Sequence, residues 1–202
     1  PVTTSGLSDR LGLSASSVSG MIRRLAARGL VDHRPYGGVT LTSSGRAAAL
    51  QVVRRHRLLE MFLVAELGYG WDEVHDEAEV LEHAVSDRLL ERIDVALGRP
   101  RFDPHGDPIP GPGGNMPAVD ARRLATLKPA ETGLLVRVDD SDPEVLRHLT
   151  QSDITLGQRL ELLAQLPFEG DFLVRTEDGR THHFAPVLAA ALWISENTPS
   201  DR

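Results

Sequence analysis

The chain of 202 residues contains no cysteine. Disulfides, thiolate zinc sites and iron–sulfur clusters are therefore excluded, and the absence fits the reducing cytoplasm. No apolar run approaches the roughly 20 residues that span a bilayer, and no basic start precedes an apolar segment. We therefore expect a soluble, cytoplasmic protein without a membrane partner, built as one large or two small domains.

Positive charge is scarce in the chain as a whole, whose formal net charge is −7 at pH 7. This balance argues against a nucleic-acid binder that is basic throughout. The first 50 residues differ, because Asp9 and Asp32 are their only acidic residues. The arginines of this basic region are Arg10, Arg23, Arg24, Arg28, Arg34 and Arg46.

A helix-turn-helix followed by a wing is predicted in the basic region. A short helix is expected over residues 8–13, with a turn at Gly12 and Leu13, and Ser14 caps a second helix that runs to about Arg28. The buried stripe of the second helix would be Val18, Met21, Ile22 and Leu25. Residues 30–33 and 39–42 are predicted strands around a turn, which is the pattern of a wing.

Such a unit can place its second helix in the major groove of double-stranded DNA. The early residues of that helix would lie near bases or phosphates, while its arginines and the wing would hold the DNA backbone. The predicted DNA-contacting residues are Ser14, Ser16, Ser17, Gly20, Arg23, Arg24, Arg34 and Tyr36. The alternative is a winged helix that serves protein contacts alone.

Four potential metal ligands follow at helical spacing. With about 100° per residue, His75, Glu79, Glu82 and His83 fall within an arc of roughly 100°, so imidazole and carboxylate groups converge. Without thiolate, these ligands favour divalent manganese or ferrous iron. The alternative is a solvated acidic helix face. A separate stripe, about a quarter-turn round, can enter a core and consists of Val74, Ala78, Leu81, Val85 and Leu89.

A second pair of ligands lies upstream on a long helix predicted from about Ser43 to Leu67. His56 and Glu60 stand one turn apart and can face the first set, so a shared or neighbouring ion is expected. The next helix should begin near Trp71 with Asp72 as its cap and break at Ser86. The apolar residues of this region exceed what one three-helix layer should bury and predict a homodimer: Leu58, Leu59, Phe62, Leu63, Leu89, Leu90 and Ile93.

Proline and glycine dominate residues 100–117, which therefore predict a linker. Beyond it, residues 133–138, 159–164, 171–175 and 181–184 are predicted strands, with one helix at residues 143–149. A small barrel of about 65 residues is the economical interpretation. His182 and His183 resemble a metal pair, but neighbours on a strand point to opposite faces, so no metal role is expected.

Three sequence blocks resemble the diphtheria-toxin-repressor family of metal-dependent transcriptional repressors, most closely its manganese-responsive regulators from actinobacteria. The blocks are RRHRLLE at 54–60, VHDEAEVLEHAVSD at 74–87 and PHGDPIPG at 104–111. The resemblance covers nearly the whole chain and implies a mainly α fold with a small β part. Its domains would be a winged helix-turn-helix (1–50), a helical metal-binding and dimerisation domain (51–99), a linker (100–130) and an SH3-like barrel (131–196).

The resemblance also assigns ligands. His56, Glu60 and His75 match one metal site, and the core of the site that controls DNA binding is matched by Glu79, Glu82 and His83. Iron-type members carry cysteine where this chain has Glu79, and the hard oxygen moves the choice toward manganese.

Two departures from the family pattern concern these sites. Asp142 falls where iron-type members offer a carboxylate from the SH3-like domain, whereas Val145 replaces their second polar ligand. The family's first helix, which adds ligands to the regulatory site, would precede Pro1, so that site is incomplete in this sequence.

The function implied is a repressor that binds operators of manganese-transport genes when loaded with Mn²⁺. Alternatives are an iron-responsive repressor of the same family, with other divalent metals as substitutes, and a metal-dependent hydrolase. The hydrolase is disfavoured because the chain has no His-Glu-x-x-His, and no histidine lies three positions before His83. A protein-binding adaptor would need more than the scattered aromatics of the barrel, Phe168, Phe172, Phe184 and Trp193.

Overall fold

A computed structural model of the chain describes residues 1–34, 38–168 and 170–196. The chain forms two compact units, residues 1–53 and residues 54–202. The boundary falls inside one long helix, α3 (Ser43–Leu67). In the described part of the chain, no helix combines the length and the apolarity needed to cross a membrane.

The first unit contains the predicted helix-turn-helix and wing: α1 (Thr4–Leu11), α2 (Ala15–Ala27), β1 (Val31–Arg34) and β2 (Gly38–Leu41). The two strands are antiparallel, with Val31 opposite Leu41. Helix α1 begins four residues before the predicted start at Ser8, because the Thr3 side chain accepts the N–H of Gly6 and caps it. Gly12 ends α1 at a φ of 62°, which glycine adopts without strain.

Helix α2 begins as predicted, since Ser14 Oγ accepts the N–H of Ser17 at 3.2 Å. Its buried stripe is narrower than predicted. Val18 and Ile22 are buried, but Met21 and Leu25 are 39% and 38% exposed. The unit's core is small and consists of Val18, Ile22, Val31 and Val39, so two apolar positions of α2 and one of each strand are sufficient to fill it.

The second unit begins with three helices: the rest of α3, α4 (Val74–Glu82) and α5 (Asp87–Ala96). The predicted bounds of α3 are confirmed. The prediction that Asp72 caps α4 is wrong. Among the described residues, no side chain accepts a hydrogen bond at the start of α4, and the Asp72 carboxylate lies 3.7 Å from Arg147. The predicted break at Ser86 is confirmed, because its hydroxyl accepts the N–H of Leu89 and caps α5.

The apolar surplus on which the dimer prediction rested is mostly absorbed within one chain. Leu58, Leu59, Leu63, Leu90 and Ile93 are buried with Val74, Ala78 and Ile109 in one core cluster. Leu89 remains 50% exposed. The number of apolar residues left over for a dimer interface was overestimated, because Ile109, in the segment predicted as a linker, also packs in this core.

The proline- and glycine-rich segment forms no helix, as expected, but its first part is not solvated. Asp103, His105, Asp107 and Ile109 are buried. Arginines of α3 donate to its backbone carbonyls, Arg54 to Pro110 at 2.8 Å and Arg57 to Pro108 at 2.6 Å. Residues 103–110 are therefore part of the packed interior of the second unit.

The second unit continues with a β domain. Its elements are β3 (Arg122–Arg123), a 3₁₀ turn (Leu124–Thr126), β4 (Thr132–Val138), α6 (Pro143–Gln151), β5 (Arg159–Gln165), β6 (Phe172–Thr176), β7 (Thr181–Phe184), α7 (Pro186–Ala191) and β8 (Leu192–Ser195). The strands form one six-stranded antiparallel sheet in the order β3-β8-β4-β5-β6-β7. The four predicted strands and the predicted helix are present as β4 to β7 and α6.

Candidate metal centre

Helices α3 and α4 bring together His56, Glu60 and His75, which we call the first donor group. Their ligand atoms all lie within 4.8 Å of one another. His56 Nε2 is 2.9 Å from Glu60 Oε1 and 3.1 Å from His75 Nδ1, while His75 Nδ1 is 3.3 Å from Glu60 Oε1. The i, i+4 spacing on α3 thus faces α4 as predicted.

His56 of the first donor group lies between two carboxylates, Glu60 of the same group and Glu82 of α4. Burial acts to lower the pKa of His56, but hydrogen bonds and attraction from Glu60 and Glu82 outweigh it and raise this pKa to about 9. Burial likewise acts to raise the pKa of Glu60, but the hydrogen bond and charge of His56 hold it below the ordinary value. At neutral pH a histidine cation therefore bridges two carboxylates, a role that a divalent cation can also fill.

Glu79, Glu82 and His83 are placed less compactly. Helix α4 ends at Glu82, and His83 is its C-cap, with a side chain that is 83% exposed. Glu82 points inward, 3.0 Å from His56 Nδ1, whereas Glu79 Oε1 lies 3.6 Å from His75 Nε2. Groups with ligand atoms within 4.8 Å occur twice in the described chain, and neither contains Glu79, Glu82 or His83. The predicted stripe assumed that the helix continues through His83.

A second donor group, which the sequence analysis missed, consists of Glu60, Asp103 and His105, all buried. Asp103 Oδ1 accepts the N–H groups of His105 and Asp107, each at 2.9 Å. Burial, with repulsion from Asp107 and Glu60, raises the pKa of Asp103 to about 7. Two buried carboxylates that repel each other in this way favour a proton or a cation between them.

His105 supplies the clearest sign that this group fits a metal. Its Nε2 lies 2.6 Å from the carbonyl of Trp71 and must donate to it, so Nδ1 keeps a free lone pair. This Nδ1 is buried and has no hydrogen-bond partner among the described residues; the carboxylate of Asp140 lies 3.6 Å away. A buried acceptor without a partner is costly, and a cation would satisfy it. The signal in the sequence was the alternation of Asp103, His105 and Asp107 in a segment to which the sequence analysis assigned a linker and a family resemblance but no metal ligands.

Asp142 does not join either group. It is exposed and caps α6, where its Oδ1 accepts the N–H of Glu144 at 2.9 Å. In the same loop it is Asp140 that approaches a donor group. Val145 is half-buried and packs against the core of the β domain.

The predicted DNA-contacting residues lie mostly on the exposed surface of the first unit. Ser14, Ser16, Ser17, Arg23, Arg24 and Arg34 are exposed, and Gly20 is half-buried. The hydroxyl of Ser14 lies 2.9 Å from those of Ser16 and Ser17, so the serines stabilise the start of α2. Tyr36 lies outside the described residues.

Family models match most of the chain. The model described as "Iron dependent repressor, N-terminal DNA binding domain" matches residues 1–39, and "Iron dependent repressor, metal binding and dimerisation domain" matches 42–111. The FeoA domain model matches 122–196.

The chain aligns with most of the length of two curated relatives. The iron-dependent repressor IdeR of Mycobacterium tuberculosis is 36% identical over 168 residues, 80% of this chain and 70% of the relative. The diphtheria toxin repressor of Corynebacterium glutamicum is 30% identical over 201 residues, 94% of this chain and 86% of the relative. The chain belongs to the diphtheria toxin repressor family.

Solved structures of family members agree with the fold. A manganese-dependent transcriptional repressor in complex with manganese is 53% identical, with a TM-score of 0.89 over 96% of this chain and 91% of that one. ScaR with bound Cd²⁺ is 30% identical, with a TM-score of 0.81 over 97% and 92%.

Membership confirms the predicted class of function. The protein is a metal-dependent transcriptional repressor with the family's DNA-binding domain, its metal-binding and dimerisation domain, and a C-terminal SH3-like FeoA domain. Its relatives in the diphtheria toxin repressor family are repressors and not enzymes, which excludes the hydrolase hypothesis.

Proposed function

We propose that this repressor responds to manganese and, as a homodimer, binds operators of metal-transport genes. The observation that carries the proposal is a donor set of carboxylates and imidazoles in a chain without cysteine. Such hard ligands suit Mn²⁺ better than softer metals. The 53% identity to a manganese-dependent repressor supports the same choice. Ferrous iron is the second candidate, favoured by the 36% identity to IdeR.

We assign three sets of residues to metal. The first donor group would hold one ion, the second donor group with Asp140 another, and Glu79, Glu82 and His83 would form the core of the regulatory site. A bound ion supplies the concentrated positive charge that lets these carboxylates gather. His56 would give up its proton, and His105 would offer Nδ1. Asp142 stays a prediction without a contact in its support.

We further propose that α2 enters the major groove. Ser14, Ser16, Ser17 and Gly20 would lie near bases or phosphates. The DNA backbone would be held by Arg23, Arg24, Arg34 and Tyr36. Two such helices in a homodimer suit two half-sites. Operator DNA lies in the cytoplasm, where the protein would act. The domain limits stay as proposed from the sequence: 1–50, 51–99, 100–130 and 131–196.

Repression would follow from linkage. If the metal-loaded dimer presents its two α2 helices at the spacing of the half-sites, metal and operator each raise the affinity for the other by the same factor. A coupling of a few kcal/mol, on the order of 10² in DNA affinity, would be sufficient.

An electrophoretic shift assay on the full-length protein tests this function. Operator DNA should be retarded with Mn²⁺ and released by a chelator. Glu82→Ala and His83→Ala should each weaken metal and operator binding without unfolding the protein, whereas Glu66→Ala, an exposed carboxylate of α3, should not. DNA binding that ignores metal, or calorimetric Mn²⁺ affinities unchanged in both variants, would contradict the proposal. Lower activation midpoints for Fe²⁺ than for Mn²⁺ would favour the iron-responsive alternative.

A further inference from the structure

A chain of ion pairs leads from the second donor group into the FeoA domain. Arg57 of α3 contacts two carboxylates of the turn formed by residues 103–107: its Nε lies 3.4 Å from Asp103 and its terminal nitrogen 2.8 Å from Asp107. The other oxygen of Asp107 accepts the Nε of Arg137, on β4, at 3.0 Å. One buried carboxylate thus joins a helix of the dimerisation domain to a strand of the FeoA domain.

The turn is also fixed to β4 through its backbone. The carbonyl of His105 accepts the N–H of Val138 at 2.9 Å. Gly106 has a φ of +87°, and a Cβ there would lie 2.0 Å from the carbonyl oxygen of Val136. The turn carries two of the three residues of the second donor group, so β4 and these donors cannot shift independently.

Arg137 extends the connection to the sheet. Its guanidinium lies 4.3 Å from the centroid of the Trp193 ring, and Arg123 lies over the same ring at 5.0 Å. A guanidinium at this distance is attracted by the ring. Trp193 therefore reports on the position of Arg137.

We propose that Asp107 is a positioning residue that couples metal loading of the second donor group to the packing of the FeoA domain. The inference rests on the proposed function, in which this group holds a cation. Two guanidinium partners fix the Asp107 carboxylate, and the turn then places Asp103 and His105. Loss of a residue that orients metal ligands in this way commonly lowers the metal affinity by about ten- to a hundredfold.

Two substitutions separate positioning from a simple charge effect. Asp107→Asn keeps the shape but loses both ion pairs, and Mn²⁺ affinity at this group should fall by about tenfold or more. Arg137→Gln removes a positive charge, so through-space electrostatics alone would make Mn²⁺ bind more tightly, whereas coupling through Asp107 makes it bind more weakly. The matched control is Glu161→Gln, which breaks an ion pair with Arg175 elsewhere on the sheet.

The experiment is calorimetry with Mn²⁺ on the full chain, in which Asp103→Asn identifies the binding step of the second donor group. Weaker binding in both variants, with losses that do not add in the double variant, is expected. Unchanged affinity in both, or tighter binding in Arg137→Gln, would overturn the coupling. If Asp107→Asn fails to fold by circular dichroism, Arg137→Gln decides alone. A wild-type chain that binds no Mn²⁺ would instead overturn the proposed function.

A second measurement tests whether metal binding at the second donor group changes the environment of Trp193. The chain has two tryptophans, so 5-fluorotryptophan labelling gives two ¹⁹F resonances, assigned with Trp71→Phe. Saturation with diamagnetic Cd²⁺ should shift the Trp193 resonance in the wild type and in Glu161→Gln but not in Asp107→Asn. An equal shift in Asp107→Asn would overturn the role of Asp107.

Discussion

His56 carries a proton that a metal ion must replace. Its raised pKa of about 9 reflects Glu60 and Glu82, which accept from its two nitrogens. We expect Mn²⁺ binding to release protons between pH 6.5 and 9 and to weaken as pH falls. Calorimetry in buffers of different ionisation enthalpy measures this release. His56→Gln should abolish the His56 share of it; a release unchanged in that variant would contradict the assignment.

The same proton affects the metal-free protein in the opposite direction. Because the folded pKa of His56 lies above the unfolded value of 6.5, its contribution to stability is fully present below pH 6.5 and is lost as pH rises through about 9. Metal-free protein should therefore become less stable over this range, as denaturant unfolding at several pH values will measure. His56→Gln should remove this part of the slope.

Metal selectivity is expected to depend on Glu79. Its carboxylate is 65% exposed and lies beside His75, so a substitution there should not disturb the core. Glu79→Cys replaces a hard oxygen with a thiolate and should shift activation toward Fe²⁺, Co²⁺ or Ni²⁺ relative to Mn²⁺. DNA-binding midpoints for each metal measure the order; an unchanged order would mean that another residue selects the ion.

At the scale of helices and strands, the sequence was sufficient to predict the local conformation wherever a single residue type decides it. The caps at Ser14 and Ser86 were predictable because a hydroxyl satisfies an otherwise unpaired N–H. Strand β8 was not, because its residues continue the apolar run of α7, and a short apolar run does not distinguish helix from strand.

The candidate site was predictable only where its spacing is helical. His56 and Glu60 could be paired from their i, i+4 positions. Asp103 and His105 could not, because their approach to Glu60 depends on where an irregular turn packs. Asp140 comes from a loop beyond β4, and no local pattern places that loop beside His105.

Helix α2 allows a test of how DNA is held. Arg24 is exposed on α2, so Arg24→Ala should weaken binding to operator and random duplex alike and reduce the magnitude of the salt slope by about one unit. Arg175→Ala, in the FeoA domain, is the control and should change neither. Sequence preference should then rest partly on thymine methyls and DNA shape, since Gly20 offers no side chain. An operator-only loss with an unchanged slope would show that Arg24 contacts bases.

At the scale of the molecule, the two units should respond differently to metal. Every proposed ligand belongs to the unit of residues 54–202, and none to residues 1–53. Mn²⁺ at a hundredfold its Kd stabilises the unit that binds it by about 2.7 kcal/mol, or roughly 5–10 °C for a unit of this size. Scanning calorimetry should show one transition that rises with Mn²⁺ and one that does not. Equal shifts in both would mean that the units unfold together.

Glu60 belongs to both donor groups, and one carboxylate cannot serve two ions without cost to one of them. An ion held by one group would draw electron density from Glu60 and repel an ion in the other, so we expect the two groups to fill in sequence and with negative cooperativity. A sensor that loads in this way spreads its response over a wider span of metal concentration than two independent sites would. The cell would then experience graded repression of its target genes instead of an abrupt threshold.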